Sequence, residues 1–164
     1  MTEEVFGVIG GSGLYEMDGF EGLEEIHLDT PFGAPSDAYI VGRLDGHKCV
    51  FLPRHGRGHL YSPSEVNYRA NIWGLKKLGV RNVLSVSAVG SLREAIAPGH
   101  VVCVDQFVDR TRGRANTFFT DGVVGHVQFG EPVEEQMRQH LLAAANEAGA
   151  VVHDGVQSVQ LQGD

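Results

Sequence analysis

Val5-Phe6-Gly7-Val8-Ile9-Gly10-Gly11-Ser12-Gly13 is a short apolar run that breaks into a glycine-rich turn. Valine, isoleucine and phenylalanine favour extended backbone, and a run that stays apolar at odd and even positions fits a strand buried on both faces. A buried strand that feeds such a turn is the opening of an α/β fold. Backbone N–H groups in the turn, with the Ser12 hydroxyl, can converge on a phosphate, although the same glycines also fit a tight bend with no ligand. The dinucleotide fingerprint is excluded because the residue three after Gly13 is Glu16, and the nucleotide P-loop because no Gly-Lys-Ser/Thr follows.

Downstream, 37–44 and 47–52 read as two strands joined by Asp45-Gly46, the dipeptide of a type I′ turn, and so as an antiparallel hairpin. After the basic loop Arg54-His55-Gly56-Arg57-Gly58-His59, the run Ser62-Pro63-Ser64-Glu65 has the form of a capping box and predicts a helix starting at Pro63. That helix presents Val66, Ala70, Ile72, Trp73, Leu75 and Leu78 to a sheet and stops at Gly79. Strands are expected over 83–89 and 101–104, an irregular segment over 105–130, a helix over 133–148, and strand pieces at 151–152 and 156–161. The order implies an α/β fold with a mixed, twisted central sheet flanked by helices. The chain stops just after a strand, which suggests a fold incomplete at its C-terminus.

A chain of 164 residues, 42% hydrophobic, has enough apolar side chains for one core, so a single domain over 1–164 is expected. A formal net charge of −8 argues against a nucleic-acid-binding role and makes the basic loop a local exception. Cys49 and Cys103 sit in apolar runs and read as small core residues of a reducing compartment. With no signal peptide and no long apolar span visible, the expected location is cytoplasmic, without a membrane partner.

Arginine offers a planar fork of donors that matches phosphate or carboxylate, and glycine lets the backbone approach a ligand. Arg54 and His55 are therefore candidate anion donors, although basic loops are also commonly solvated surface. Small residues in Ser87-Ala88-Val89-Gly90-Ser91 leave room for a ligand at a strand's end, and fit a buried strand equally well. His55 and His59 have helical metal spacing, but the glycines between them oppose a helix and no carboxylate joins them, so no metal is expected. No nucleophile elbow is present, and Glu24-Glu25 and Glu134-Glu135 read as solvated charges, which disfavours hydrolase chemistry.

Taken with 29–37, Pro63-Ser64-Glu65-Val66-Asn67-Tyr68-Arg69-Ala70-Asn71-Ile72-Trp73, Gly90-Ser91-Leu92-Arg93-Glu94 and the run from Pro98-Gly99 to Thr111, these motifs resemble the 5′-methylthioadenosine phosphorylases and the related trimeric purine nucleoside phosphorylases. The resemblance implies a nucleoside phosphorylase-like fold and phosphorolysis of 5′-methylthioadenosine to adenine and 5-methylthioribose 1-phosphate. Inorganic phosphate would be a co-substrate, with no cofactor. It maps phosphate contacts onto Ser12, Arg54, His55, Ser87 and Ala88, and implies a homotrimer in which His126 reaches a neighbouring subunit's substrate pocket. The family's base-binding acids follow the strand matching 156–162, beyond Asp164, so activity of these residues alone is in question. A purine nucleoside phosphorylase acting on inosine or guanosine, and a non-catalytic phosphate-binding module, are the alternatives.

Overall fold

A computed structural model describes residues 3–11, 13–14 and 18–160. They form two compact units: the first contains the described residues of 1–88 together with Arg114–Phe118, and the second those of 89–113 and 119–162.

Among the described residues of the first unit, β1 (Val5–Gly10), β2 (Phe20–Ile26), β3 (Tyr39–Leu44), β4 (His47–Pro53) and β5 (Asn82–Ser85) form one mixed sheet in the order β2-β3-β4-β1-β5. The hairpin β3–β4 is antiparallel as expected, and Asp45 and Gly46 have φ of 48° and 80°, as a type I′ turn demands. Strand β1 lies parallel to both β4 and β5. The antiparallel edge strand β2, with a register shift between Glu21 and Glu24, has no counterpart in the sequence reading. Its run of glutamates and mostly exposed residues lacks the apolar alternation that marks a half-buried strand.

Alternation along β1, β3 and β4 divides the core between the two faces of the sheet. Val5, Ile9, Tyr39, Val41, Val50 and Leu52 pack with Leu75 and Val80, while Ile40, Cys49 and Phe51 pack with Phe6, Val8, Phe20 and Leu44. The helix α1 (Tyr68–Lys77) brings Leu75 to the first of these clusters. It begins five residues later than the capping box predicts. Glu65 does accept from the Ser62 N–H at 2.9 Å, but those residues close only a turn. The Asn67 side chain supplies the cap, accepting from the Ala70 N–H at 3.2 Å and donating to the Phe32 carbonyl at 2.7 Å. The helix does stop at Gly79, where the Gly79 and Val80 N–H groups donate to the Lys76 and Leu75 carbonyls.

The buried face of α1 is narrower and more polar than its apolar spacing suggests, for Ile72 is exposed while Asn71 and Gly74 are buried. Asn71 exchanges two hydrogen bonds with Ser36, accepting from its N–H at 2.8 Å and donating to its hydroxyl at 2.9 Å. The wholly buried Tyr39 directs its hydroxyl at the Ala70 and Asn71 carbonyls, 3.1 and 3.0 Å away. A Cβ on Gly74 would stand 2.0 Å from the Tyr39 oxygen, so only glycine allows helix and sheet to approach this closely.

Strand β5 is shorter than the predicted 83–89. The Val86 N–H still donates to the Ile9 carbonyl at 2.9 Å, but β1 ends at Gly10 and offers no further ladder. In the second unit, β6 (Val101–Asp109) and β7 (Val152–Gln160) pair in parallel as a separate two-stranded sheet, with α2 (Glu135–Glu147) beside them. Both strands are longer than expected. β6 takes in the first residues of the expected irregular segment, and the two pieces predicted for the last strand are one strand running through Gly155, where the register shifts. Glu134 caps α2 by accepting from the Gln136 and Met137 N–H groups, and Arg138 joins Glu135 at 2.7 Å to Asp154 of β7. Hydrogen bonds from Arg138, then Gln139, pull the Glu135 carboxyl from 4.5 down to about 2.

Substituting Gly74→Ala is expected to destabilise the first unit by about 2–3 kcal/mol through overpacking, and Tyr39→Phe by about 1 kcal/mol through loss of a hydrogen bond. Urea unfolding followed by Trp73 fluorescence measures both, and an alanine tolerated to within about 0.5 kcal/mol would overturn the close-approach argument. Because the folded Glu135 is the stronger acid, its contribution to stability is present above 4.5 and is lost as pH falls towards about 2. Melting of wild type and Glu135→Gln across that range should show a difference that closes in acid; a difference constant with pH would refute it.

Candidate functional site

Parallel pairing decides which loops meet. The register matches Gly10 with Pro53 and Ile9 with Ser85, so β1, β4 and β5 all end at one edge of the sheet. Ligands of α/β sheets gather at the carboxyl ends of parallel strands, and the three predicted donor segments leave from those ends here. The backbone ties the first two together, with the Arg54 N–H donating to the Gly10 carbonyl at 3.0 Å.

Arg54 and Ser87, thirty-three positions apart in sequence, are in direct contact, Nη1 donating to Oγ at 2.5 Å. The Arg54 Nε–H donates to Nε2 of His55 at 3.1 Å, and Nδ1 of His55 lies 2.9 Å from the Tyr61 carbonyl. His59, at a φ of 55°, stacks its ring on that of His55, with centroids 5.6 Å apart and planes 7° from parallel. The two histidines therefore lie face to face instead of converging on a common point. Among the described residues, no group of three or more His, Cys, Asp or Glu side chains is placed to hold a metal ion.

The basic loop folds tightly. The Gly56 N–H donates to the Pro53 carbonyl at 3.1 Å, the His59 N–H to the Gly56 carbonyl at 3.2 Å, and the Tyr61 N–H to the His55 carbonyl at 3.1 Å. Gly56 has a φ of 70°, and a Cβ there would meet the Ser36 carbonyl oxygen at 2.9 Å. Arg57 turns away from Arg54 to a pair of carboxylates. It reaches Glu25 of β2 with a bidentate fork at 2.6 and 3.0 Å, and Asp37 through Nη2 at 3.1 Å and its own backbone N–H at 2.7 Å. The Arg57 hydrogen bonds hold the Glu25 carboxyl below its usual range, and raise the already high pKa of Arg57 itself. Burial pushes the Asp37 carboxyl up, but hydrogen bonds from Arg57 and Ala38 outweigh it and leave the group more acidic than usual.

Of the residues singled out in the sequence, Arg54, His55 and Ser87 are brought together, and Ala88 follows Ser87 on an exposed stretch. Ser12 lies outside the described residues. His126 is exposed within the irregular segment of the second unit. The sequence reading did not find Glu25 and Asp37, the partners that fix Arg57. Glu25 sits in a glutamate-rich run that resembles solvated surface, and Asp37 is twenty positions from Arg57 with no spacing pattern to connect them.

The family model of the phosphorylase superfamily matches residues 5–158. The S-methyl-5′-thioadenosine phosphorylase of Geobacter sulfurreducens is 60% identical over 162 residues, which is 98% of this chain and 57% of that protein. Its counterpart from Chloroflexus aurantiacus is 57% identical over 164 residues, covering 99% and 57% of the two chains. Among solved structures, a methylthioadenosine phosphorylase sourced from an Antarctic soil metagenomic library superposes with a TM-score of 0.96 at 42% identity, across 100% of this chain and 58% of that one. The Schistosoma mansoni methylthioadenosine phosphorylase in complex with adenine gives 0.90 at 39% identity, covering 99% and 66%. This chain thus spans a little over half the length of the curated relatives it matches. With a family match running through β1, β4, β5 and both helices, and a nearly superposable mixed α/β architecture, the chain belongs to the phosphorylase superfamily.

Proposed function

We propose that this chain carries the phosphate half of a nucleoside phosphorylase site, and that the reaction is phosphorolysis of 5′-methylthioadenosine to adenine and 5-methylthioribose 1-phosphate. The observation that carries this reading is the Arg54–Ser87 contact at the shared carboxyl edge of β1, β4 and β5. The names of the matched relatives favour the methylthio nucleoside over inosine or guanosine. The family match spans both compact units, which supports one phosphorylase-like domain over 1–164.

In this reaction a phosphate oxygen forms a bond to the anomeric carbon as the glycosidic bond breaks, and the electron pair of that bond leaves with the purine nitrogen. Positive charge develops on the ribose, so a phosphate dianion held beneath it is both nucleophile and electrostatic stabiliser. Arg54 would neutralise and orient the anion through the donors its contacts leave free. The Ser87 oxygen accepts from Arg54, which leaves its own O–H to donate to the phosphate. Ser12 and the Ala88 backbone complete the proposed cradle, and His55 belongs to it as the neighbour of Arg54. Phosphate is a co-substrate in this reading and no cofactor takes part.

The assembly proposed is a homotrimer, with His126 directed to a neighbouring subunit's substrate pocket; the exposed Val123, Val124 and Val127 around it support an interface. A cytoplasmic location is supported by the free, buried thiols of Cys49 and Cys103, and no helix among the described residues is long and apolar enough to cross a membrane.

The test of the reaction is phosphate-dependent release of adenine from 5′-methylthioadenosine, with inosine in parallel. It is run on this chain and on a chimera in which this chain replaces the matching residues of the Geobacter sulfurreducens relative. The chimera is expected to release adenine and to leave inosine intact. A folded chimera inactive on both nucleosides would sink the assignment, and one that prefers inosine would replace the substrate. In the active chimera, Arg54→Ala is expected to raise the KM for phosphate about tenfold to hundredfold, the worth of a charge-assisted contact, with much less change for the nucleoside. Equal effects on the two substrates would show that Arg54 is not the phosphate anchor.

A further inference from the structure

Arg114 takes a charge inside the first unit without a hydrogen bond on its inner edge. The residue is only half-buried, yet its Nε and Nη2 are shut off from solvent and, among the described residues, neither has a hydrogen-bond partner. These two nitrogens share one edge of the guanidinium, the edge that takes both oxygens of a carboxylate. What the group meets here is the ring of Tyr68, whose centre lies 5.8 Å from the guanidinium carbon. A cation over an aromatic face is attracted to it, but a buried ionised donor without a partner opposes its own burial more strongly than a neutral one.

The residues that follow Arg114 form a short strap. Arg114–Phe118 group with the first unit, whereas the residues on either side group with the second. At the other end of the strap Phe118 meets Phe32 edge-on with ring centres 5.3 Å apart, and at 42% exposed it is incompletely covered there. Between the two contacts, Ala115, Asn116 and Thr117 are exposed. The surface beneath is firmly built. Asn67 donates to the Phe32 and Ala34 carbonyls, the Tyr68 hydroxyl donates to the Pro63 carbonyl at 2.8 Å, and Arg69 lies over the Phe32 ring at 5.1 Å. The backbone turns sharply just outside both ends of the strap, with φ of 71° at Gly113 and of 55° and 95° at Asp121 and Gly122. These left-handed conformations are the ones that glycine adopts without a steric cost, and they mark the points about which the strap can swing.

We infer that 114–118 is a strap poised to lift from Tyr68 and Phe32, held down by two aromatic contacts and weakened from within by the unpaired edge of Arg114. Lifting returns the guanidinium to water, uncovers both rings and opens the Nε and Nη2 fork to a carboxylate. Closing hides all three. The buried charge is what keeps the closed state shallow, so its removal should fasten the strap.

The experiment follows chymotrypsin cleavage after Phe118 by mass spectrometry. This cut needs the strap lifted, so its initial rate tracks the lifted fraction. Cleavage after the wholly buried Tyr39 reports global unfolding in the same sample. In the wild-type chain the cut after Phe118 is expected well before the cut after Tyr39, and well behind the same cut in an unstructured peptide of this sequence. Simultaneous cuts after Phe118 and Tyr39 would overturn the inference, and so would cleavage at the peptide's rate, neither of which requires a variant. Arg114→Met keeps a long side chain whose sulfur packs on an aromatic ring and removes the charge. It is expected to slow the cut about tenfold, and an equal or faster rate would overturn the inference, since the guanidinium would then be fastening the strap. Phe32→Leu removes the edge contact and is expected to speed the cut severalfold; a wild-type rate would overturn the aromatic hold.

Discussion

The pairing of β1 with two parallel neighbours is the constraint on which the rest of the site depends. Backbone hydrogen bonding brings the ends of β1, β4 and β5 to one edge, and a shift of register would separate Arg54 from Ser87. The site is therefore a product of sheet topology before it is a product of side-chain chemistry. What the side chains add is orientation, as Arg54 is held at one nitrogen by an imidazole and at another by a hydroxyl.

That sheet is kept in register by a helix that approaches unusually near. Tyr39 fills the space left by Gly74 and bonds to carbonyls of the same helix, while Asn71 and Ser36 satisfy each other inside the protein. Buried polar groups so paired specify one arrangement, because a slipped helix would leave them without partners. The same Ser36 precedes Asp37, which holds Arg57, so the helix contact and the loop clamp act on adjacent residues.

Much of the first unit was legible in the sequence because its signals are local. The Asp45-Gly46 turn, the apolar run of β1 and the Gly79 stop each work within a few residues, and each is where it was expected. The helix start was misread because two capping signals compete, and Asn67 wins through its extra bond to the Phe32 carbonyl. The lengths of β5, β6 and β7 depend on how far a neighbour extends, which is a tertiary property. For the site, residue types pointed to Arg54, His55 and Ser87 as anion donors. The contacts within the group came only from geometry, since the partners of the two His55 nitrogens, and the pairing of Arg57 with carboxylates, are facts of three dimensions.

The Arg57 clamp also bears on how an anion would reach the loop. Its guanidinium charge is cancelled locally by Glu25 and Asp37, whereas Arg54 is bonded to groups that carry no negative charge. The formal net charge of −8 on this chain repels an approaching dianion at a distance, and only within about a Debye length, roughly 8–10 Å, would the Arg54 cation dominate. On the proposed reading, capture would be a short-range event, governed by collision with a small attractive spot and not by long-range steering. Discrimination among anions would then fall to shape and hydrogen-bond fit at that spot.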